Sequence, residues 1–460
     1  EVALAKIGAG CGGITRTFAE QGFVQLSNQI YNITLGLNPA IISTIVAVSR
    51  LWDAFTDPFM GKISDNTRSR WGRRKPYILA GGILCGIAFP LLWLPGEDWS
   101  MTWLGVYVAV AAIIYYTFNT VYSIPYNAVI MEMSHSYSER TKVFSYTSFF
   151  QLVAWITMSY LFFFAQLDVF GGTMNGIRIL GVIVGIFIFA GALICVLTVK
   201  EGNLDIAKRQ AKIPLIGSLK VAFKNRAFVC LTGLIIFTLL GTYMVYSLGF
   251  YLNVYYVFDG DTKEAAKIQG LIGATSFPLQ MLVVVIVGKY LSNFEKNKLI
   301  VGSLIIAFFA SLSKWFFITP AAPYLQLLPP LLLAPANACF WLLIDSMRAD
   351  VADYDDYQTG VRREGIFGSV ATWLTKFALS IAMGISGYIL VLTGFDEELG
   401  GNQDEGTILA LRLCFALIPA GSIGLALLFM HFYPLDKPFM NKIHSELQRR
   451  RDQVLGESEE

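Results

Sequence analysis

The sequence predicts an all-α membrane protein with twelve transmembrane helices in two pseudo-symmetric six-helix bundles. Three features predict this class: a shortage of charge, a series of long apolar segments and a weak internal repeat. Of the 460 residues, 55% are hydrophobic and only 15% are charged, whereas soluble domains carry about 25% charged residues. Because so little charge is present, most of the surface is expected to face lipid, and we predict an integral, multi-pass membrane protein.

Charge and cysteine usage argue against several classes of protein. The formal net charge is only +2, so we expect no nucleic-acid partner, since nucleic-acid-binding proteins are usually strongly basic. The six cysteines are scattered through apolar stretches without the spacing of a zinc site, and we interpret them as small buried side chains. We predict no cofactor. Because the chain does not start with methionine, we expect a few native residues to precede Glu1.

Long uncharged segments account for eight of the twelve predicted crossings. A helix needs about 20 apolar residues to span about 30 Å of hydrocarbon at about 1.5 Å per residue. The segments that satisfy this length are 76–96, 99–131, 143–167, 179–199, 227–258, 268–288, 315–344 and 413–435.

The other four crossings are interrupted by a turn or by charge. The segment 21–49 contains a Leu-Asn-Pro turn at 37–39, which divides it into the first two helices. The second helix continues through the charged residues that follow. The segment 299–313 continues past Lys314 as the ninth crossing, and 363–393 is the eleventh.

Loop charge predicts the orientation, because short loops rich in Lys and Arg stay in the cytoplasm. The connections 62–75, 200–226 and 289–298 are basic, whereas the alternate connections are acidic or neutral, such as 396–405. Both termini are therefore predicted to lie in the cytoplasm, with the protein in a bacterial inner membrane. The tail 434–460 is predicted to form a polar helix at the cytoplasmic surface.

A weak internal repeat supports two equivalent bundles. The Gly-Lys pair at 61–62 recurs at 288–289, and segment 139–144 resembles 362–367 at nearly the same offset. A binding cavity is then expected between the bundles near the middle of the membrane. The predicted divisions are an N-terminal bundle at 1–199, a linker at 200–226, a C-terminal bundle at 227–433 and a tail at 434–460.

Three charged residues lie inside the second crossing, where each costs at least about 2–3 kcal/mol in hydrocarbon. Arg50, Asp53 and Asp57 share one helix face through their i, i+3, i+7 spacing, so they must line an interior cavity. Two carboxylates one turn apart predict a site for a small cation, either Na⁺ or H⁺, with both aspartates as the metal ligands if the ion is Na⁺. The alternative is a buried ion-pair network that links helices.

Other crossings also carry ionisable residues. Arg16 and Glu20 in the first crossing are spaced to pair at i, i+4, either in the cavity or at the cytoplasmic interface. Lys314 in the ninth crossing is expected to extend toward the membrane surface. Lys376 lies deeper in its helix, and we expect its ammonium to face the cavity, where it can pair with the carboxylates of the second crossing or with an anionic substrate group.

The fourth crossing carries a polar stripe that suits a polyhydroxylated ligand. Hydroxyl and amide groups bind sugar hydroxyls, and aromatic faces stack on the apolar faces of sugars; the alternative is ordinary hydrogen bonding between helices. Trp341 in the tenth crossing is a further candidate, although most buried aromatic residues only pack. The members of the stripe are Tyr116, Asn119, Thr120, Ser123 and Asn127.

Opposite charges near the cytoplasmic surface predict a gate between the bundles. A basic cluster follows the second crossing, and an acidic run ends the tenth. Their attraction is expected to lock the cytoplasmic side while the outer side is open; the alternative for the basic cluster is membrane orientation alone. The predicted gating residues are Arg68, Arg70, Arg73, Arg74, Asp350, Asp353 and Arg363.

Two motifs resemble those of a known family. Residues 50–76 read RLWDAFTDPFMGKISDNTRSRWGRRKP, and residues 349–357 read ADVADYDDY, followed by REGIFG at 363–368. This pattern resembles the glycoside–pentoside–hexuronide:cation symporters, a branch of the major facilitator superfamily. The resemblance implies the major facilitator fold and cation-coupled sugar transport by alternating access.

The resemblance also implies roles for individual residues. It implies that Thr120 and Thr372 assist the two aspartates as cation ligands. It implies that Lys376 lies between the cation and sugar sites and that Trp341 stacks on the sugar.

The chain departs from the family pattern at the sugar site. Two acids of the family are replaced by Thr17 and Ser123, and an arginine is replaced by Ser148. The charged clamp for galactosides is therefore missing, and Arg16 and Glu20 become candidates for substrate contacts. The substrate is predicted only as a sugar, a glycoside or a sugar acid.

We therefore predict a secondary active transporter that works as a monomer in the lipid bilayer and carries a small sugar-like solute together with Na⁺ or H⁺. A lysolipid carrier of the same superfamily is the nearest alternative, because lipid symporters of that branch have a similar second-crossing motif. A membrane-embedded enzyme is a further alternative, but the chain has no HExxH, GxSxG or Walker motif.

Overall fold

The computed structural model describes residues 2–133, 137–199, 220–290, 294–360, 364–396 and 399–457, and within these ranges the chain is built of helices and short connections. The helices are α1 (Val2–Ser27), α2 (Pro39–Asn66), α3 (Lys75–Leu91), α4 (Met101–Glu132), α5 (Tyr137–Ala165), α6 (Thr173–Thr198), α7 (Arg226–Tyr243), α8 (Leu248–Leu252), α9 (Thr262–Tyr290), α10 (Lys296–Phe317), α11 (Leu328–Thr359), α12 (Glu364–Leu392), α13 (Glu405–His431) and α14 (Lys437–Glu457).

Short non-α segments extend or precede some of these helices. The segment Asn28–Thr34 continues α1 as a π-helix, and Asn253–Val257 continues α8 in the same way. Two short 3₁₀ segments, Asp168–Phe170 and Pro323–Leu327, precede α6 and α11. The two π-helical segments therefore occupy corresponding places, after the first helix and after the interrupted seventh crossing.

Local sequence explains where several helices begin. Asn38 caps α2 by accepting a hydrogen bond from the Ala40 amide at 2.9 Å, and Pro39 follows as the first helical residue. The predicted Leu-Asn-Pro turn therefore separates the first two crossings. Asn225 caps α7 and Asp404 caps α13 by the same kind of bond, at 3.1 and 2.9 Å.

The boundary between the ninth and tenth crossings differs from the prediction. The uncharged segment 315–344 was expected to be one crossing, but α10 includes Lys314 and ends only at Phe317. The next long helix, α11, starts at Leu328. Two prolines, at 320 and 323, prevent a continuous helix between them. Hydropathy alone does not register such a break, because both prolines lie in an uncharged stretch.

Nine helical segments in the described ranges are long and apolar enough to cross a membrane by length and composition. The helices α1 and α2 are not among them, because both carry several charged residues. The helix α3 is also not among them, because it has only 17 residues. Composition therefore understates the number of membrane helices where charge or a short length interrupts the apolar pattern.

The helices pack into two halves. Helices α1 to α6 surround one apolar core that includes Phe23, Trp93 and Tyr115, and α7 together with α10 to α13 surrounds a second core that includes Phe228 and Ile344. Two antiparallel helix pairs join the halves, α2 with α12 and α5 with α9. The main contact between the halves is therefore made by helices that also carry the charged residues of the predicted site.

The two ends of the molecule are distinguished by their loops. We call the end that carries the connection 67–74 and helix α14 the basic end, and the end that carries the turn 35–38 and the connection 393–404 the opposite end. Helix α14 packs on α11 at the basic end, where Met440, Ile443 and Leu447 join the second core. The tail predicted at the protein surface is thus a helix docked on that half.

Candidate functional site

The charged face of α2 lies against the other half of the molecule. Arg50, Asp53 and Asp57 share this face, and Asp53, near the middle of the helix, is only 3% exposed. Helix α2 reaches this position because its small and apolar residues near Pro39 pack along α12 from the opposite end inward. The carboxylates therefore lie between the two halves at about half the length of the helix.

Helix α4 supplies two polar groups to Asp53. The Thr120 hydroxyl donates a hydrogen bond to Asp53 Oδ1 at 2.8 Å, and the Asn119 amide approaches the same oxygen at 3.5 Å. Thr56 lies 3.1 Å from Thr120, oxygen to oxygen. The polar stripe predicted on the fourth crossing thus faces α2, and two of its members bind the carboxylate.

Lys376 on α12 bridges both carboxylates. Its ammonium donates to Asp53 Oδ2 at 3.0 Å and also to Asp57 Oδ2. The other Asp57 oxygen, Oδ1, is buried and has no hydrogen-bond partner among the described residues. One half of the molecule therefore contributes the two carboxylates, and the other contributes the ammonium. Asp57 Oδ1 remains available as an acceptor.

A second layer of charge lies beside this bridge. The Arg50 guanidinium donates to the Glu20 carbonyl oxygen at 2.8 Å and lies over the Tyr116 ring, 5.1 Å from its centroid. The Tyr116 hydroxyl donates to the same carbonyl at 3.3 Å, and Arg16 pairs with the Glu20 carboxylate at 3.2 Å. The predicted pair in the first crossing therefore adjoins the cation layer and is part of the interior charge network.

The six charged side chains of the two layers balance, because Arg16, Arg50 and Lys376 oppose Glu20, Asp53 and Asp57. Charges in a low-dielectric interior attract strongly but also lose their hydration, so removing one member leaves an uncompensated charge. A cation that binds the two carboxylates would compete directly with the Lys376 ammonium. Carboxylate and hydroxyl oxygens suit a hard cation or a proton, and the described residues contain no group of three or more His, Cys, Asp or Glu arranged to hold a metal ion.

Several predicted substrate residues lie apart from this network. The Thr17 hydroxyl donates to the Gly13 carbonyl of its own helix at 3.0 Å. Ser123 is buried and Asn127 is half-buried on the same helix as Thr120. Trp341 is 45% exposed and packs edge-on against Phe340.

The fourth predicted cation ligand has no described bond to the carboxylates. Thr372 is exposed on α12, one turn before Lys376, and no hydrogen bond between it and either aspartate is described. Lys314 lies over the Phe415 ring, 4.2 Å from its centroid, and not in the charge network.

Three of the predicted gating residues have a described ion-pair partner within their own half. Lys296 binds Asp350 at 2.7 Å, and His444 of α14 lies 3.3 Å from Asp353. Arg74 is buried and binds Asp65 at 2.7 Å. Arg73 is also buried, Arg68 and Arg70 are exposed, and Arg363 lies outside the described residues.

Sequence reasoning missed the contacts that join the halves at the opposite end. Gln25 accepts from Tyr246, and Asn32 accepts from the Tyr251 hydroxyl. Thr44 lies 3.0 Å from the Tyr388 hydroxyl. Neutral polar residues in apolar helices give no local signal that their partners lie more than 200 residues away.

Comparison with known families decides the assignment. The model of the family described as MFS/sugar transport protein matches residues 8–437. The chain belongs to this family. The resemblance to glycoside and cation symporters of the major facilitator superfamily is therefore confirmed, and the protein is a multi-pass membrane transporter and not an enzyme.

Similar curated proteins are symporters and carriers. The transporter is 25% identical to the glucuronide carrier protein homolog of Escherichia coli, over 97% of this chain and 95% of that protein. It is 24% identical to the isoprimeverose transporter of Lactiplantibacillus pentosus, over 92% and 86%. It is also 24% identical to the sodium-dependent lysophosphatidylcholine symporter 1 of Gallus gallus, over 94% and 86%.

Solved structures confirm the fold. A D-xylose–proton symporter superposes with a TM-score of 0.61 at 15% identity, covering 94% of this chain and 97% of that chain. A bacterial homologue of the human lysosomal transporter Spinster, in an inward-facing and occupied conformation, gives 0.62 at 15% identity, covering 94% and 95%. At this identity the likeness shows the major facilitator fold.

Proposed function

We propose that the transporter is a symporter that couples the entry of a sugar-like solute to a cation bound by Asp53 and Asp57. The observation that carries this proposal is the bridge from Lys376 to both carboxylates. An ammonium from one half occupies the place between two acids of the other half, so a cation bound there must displace it. Thr120 completes the site as a neutral oxygen ligand.

Coupling follows from this competition. When Na⁺ or H⁺ neutralises the acids, the ammonium of Lys376 loses its partners and becomes available to the solute or to neighbouring dipoles. Each ligand then favours the binding of the other, as a coupling free energy between sites requires. The layer made by Arg16, Glu20 and Tyr116 adjoins the cation site and supplies polar contacts for the solute.

The arrangement of the halves supports an inward-facing state. Short-loop charge favours the basic end as the cytoplasmic side, and we expect both termini there. The described hydrogen bonds between halves outside the charge network lie toward the opposite end. Asp350 binds Lys296 and Asp353 lies beside His444, both contacts within the second half. In the outward-facing state we expect these acids to approach Arg68 and Arg70 instead. The two halves, 1–199 and 227–433, move as the bundles of this exchange.

The solute class is supported by the chemistry of the interior and by the relatives. The two layers together hold three cations and three acids. They suit a small hydroxylated solute, with or without its own charge, because the solute can pair with groups that would otherwise be desolvated. Two of the relatives named above are a glucuronide carrier homolog and an isoprimeverose transporter. A lysolipid is the second candidate, because the sodium-dependent lysophosphatidylcholine symporter is equally similar over most of the chain.

Uptake by reconstituted protein tests the proposal. Asp53→Asn and Asp57→Asn are each expected to lower cation-stimulated uptake by at least about tenfold, because an amide removes one of the two ligand charges and leaves the buried Lys376 ammonium with a single acid. Neutral and acidic glycosides are supplied with either a Na⁺ gradient or a pH gradient, which identifies the coupling ion. Asp345→Asn is the matched control, since Asp345 is an exposed acid paired with Arg348 on its own helix.

The outcomes separate the candidates. Full cation-stimulated uptake by both aspartate variants would reject the cation site. Competition by lysophosphatidylcholine, with no transport of any glycoside, would replace the sugar by a lysolipid as the solute.

A further inference from the structure

The seventh crossing is interrupted between the two halves. Helix α7 ends at Tyr243, and the short helix α8 begins only at Leu248. Within a membrane, irregular backbone is tolerated where it is buried in protein or lines a cavity, and broken helices mark substrate sites in many transporters. The interruption at 244–247 is therefore a candidate region for ligand contacts. The sequence predicted one continuous segment there.

A small cavity adjoins this interruption. Its volume is about 20 Å³, and both halves line it. Since about 10–15 Å³ is enough for a water molecule, the cavity can hold a water or one hydroxyl group but not a sugar ring. Its polar lining includes Asn28, Ser43, Tyr243, Tyr246, Ser247 and Ser386.

One acceptor in this lining is unused. Asn28 Oδ1 is buried and has no hydrogen-bond partner among the described residues. Three of its polar neighbours are already engaged, since Tyr246 donates to Gln25, and Ser247 and Ser386 bond to each other. A buried carbonyl oxygen without a donor costs about 1–3 kcal/mol in general, so a donor that enters this cavity finds one open acceptor.

The cavity lies in line with the proposed solute site. Val24, which also lines the cavity, is one helical turn from Glu20, and Val46 is one turn from Arg50. The cavity therefore continues the charged layer toward the opposite end. No Lys or Arg lines the cavity, so it offers an acceptor and hydroxyls but no counter-charge for an anion.

We propose that this cavity is a subsite for a hydroxyl-bearing arm of the solute, which donates a hydrogen bond to Asn28 Oδ1. The inference rests on the proposed function and adds a specificity residue to it. It assigns the uncharged, hydroxylated end of the solute to the interruption of the seventh crossing and leaves any anionic group for the charged layer. Because the subsite includes residues of both halves, the bound hydroxyl is enclosed as the opposite end closes.

The chain provides a matched control for Asn28. Asn253 begins the corresponding π-helical segment in the other half, and its side-chain amide donates to the Ala265 carbonyl at 2.9 Å. It does not line the cavity. Asn253→Ala therefore removes an asparagine from an equivalent backbone position without removing the proposed solute contact.

The test uses the full-length protein with neutral p-nitrophenyl glycosides and p-nitrophenyl glucuronide as probes, and with single-deoxy forms of the glycoside it transports. Asn28→Ala is expected to weaken the binding of the parent glycoside by about tenfold, the value of one hydrogen bond. One deoxy form should bind Asn28→Ala and the wild type equally. The ratio of uptake with and without the cation gradient should not change, and Asn253→Ala should bind the parent glycoside as the wild type does.

The outcomes are distinct from those of the cation site. If Asn28→Ala weakens the parent and every deoxy form by the same factor, or leaves the parent unaffected, the subsite is rejected while cation-coupled transport stands. If the variant does not fold, the deoxy series on the wild type decides, because at least one deoxy form must bind about tenfold more weakly. If the wild type transports no glycoside under any cation gradient, the proposed solute class and the subsite are both overturned.

Discussion

Different kinds of interaction are found at the two ends of the interface between the halves. At the opposite end, neutral side chains cross from one half to the other, as Tyr251 does to Asn32, and glycines allow helices to touch. At the basic end, charged residues pair within their own half, as Lys296 does with Asp350. The described neutral contacts therefore join the halves at the opposite end, whereas the described ion pairs at the basic end lie within one half.

This difference suggests how the two ends exchange. Close packing and hydrogen bonds act only at short range, so the contacts at the opposite end are either all made or all broken. Charge pairs at the partly exposed basic end are weak and can change partners at little cost. An alternating-access transporter requires one end to be closed in each of its two states. Here the opposite end is closed, and the charged residues at the basic end can exchange partners.

The largest effect is expected from a methyl group at the closed end. A Cβ on Gly387 would overlap the Pro39 carbonyl oxygen and the Ser43 side chain. Gly387→Ala is expected to cost about 1–3 kcal/mol in this state and to separate α2 from α12 at the opposite end. Spin labels at 169 and 399, in a background without native cysteines, should report a longer distance across that end.

Gly421→Ala is the control for this substitution, because nothing lies within 4 Å of a Cβ built there. An unchanged distance distribution in Gly387→Ala would show that the contact between α2 and α12 does not hold the opposite end closed.

A smaller effect is expected from a hydroxyl that crosses between the halves. Tyr251→Phe removes the buried hydrogen bond to Asn32, which should shift the population toward a separated opposite end by about 1 kcal/mol. Tyr388→Phe removes the exposed bond to Thr44 and should shift it less. The same pair of spin labels is used for both variants. A larger shift in Tyr388→Phe than in Tyr251→Phe would show that burial does not set the strength of these hydrogen bonds between the halves.

The smallest effect is expected at the basic end. Lys296→Gln frees Asp350 from a partly exposed pair, which is worth about 1 kcal/mol or less. If Asp350 is a gating acid, its release should favour closure of the basic end, and added salt should weaken this shift. Spin labels at 63 and 432 report that end of the two halves.

Lys298→Gln is the matched control, since Lys298 pairs with Glu295 at an exposed position in the same region. Equal behaviour of the two lysine variants would remove Asp350 from the proposed gate.

Much of the fold follows from the sequence. Apolar length, loop charge and the turn before Pro39 predict the membrane helices, because hydrocarbon tolerates few other patterns. The error between Lys314 and Leu328 arose because two prolines break a segment that is uniformly uncharged. The interruption after Tyr243 was missed for a related reason, since residues 244–247 are uncharged like the rest of the segment 227–258.

The candidate site was predictable only in part. The shared face of Asp53 and Asp57 follows from helical spacing, and Lys376 was expected in the cavity because its charge lies deep in an apolar helix. The proximity of Thr120 to Asp53 was implied by the family resemblance and not by local pattern, and the contact of Arg50 with Glu20 was not predicted. They depend on how four helices meet, which is decided by packing between residues far apart in the chain.

The sequence by itself determined that this is a membrane protein with charged residues facing inward, because a lipid-facing charge is too costly to keep. Only the tertiary structure decided which charges meet. It places the Lys376 ammonium between the two acids, leaves Asn28 without a donor and closes one end of the interface with neutral residues. These features depend on the distances between helices and on how their surfaces fit together. The order of polar and apolar residues along the chain does not specify either.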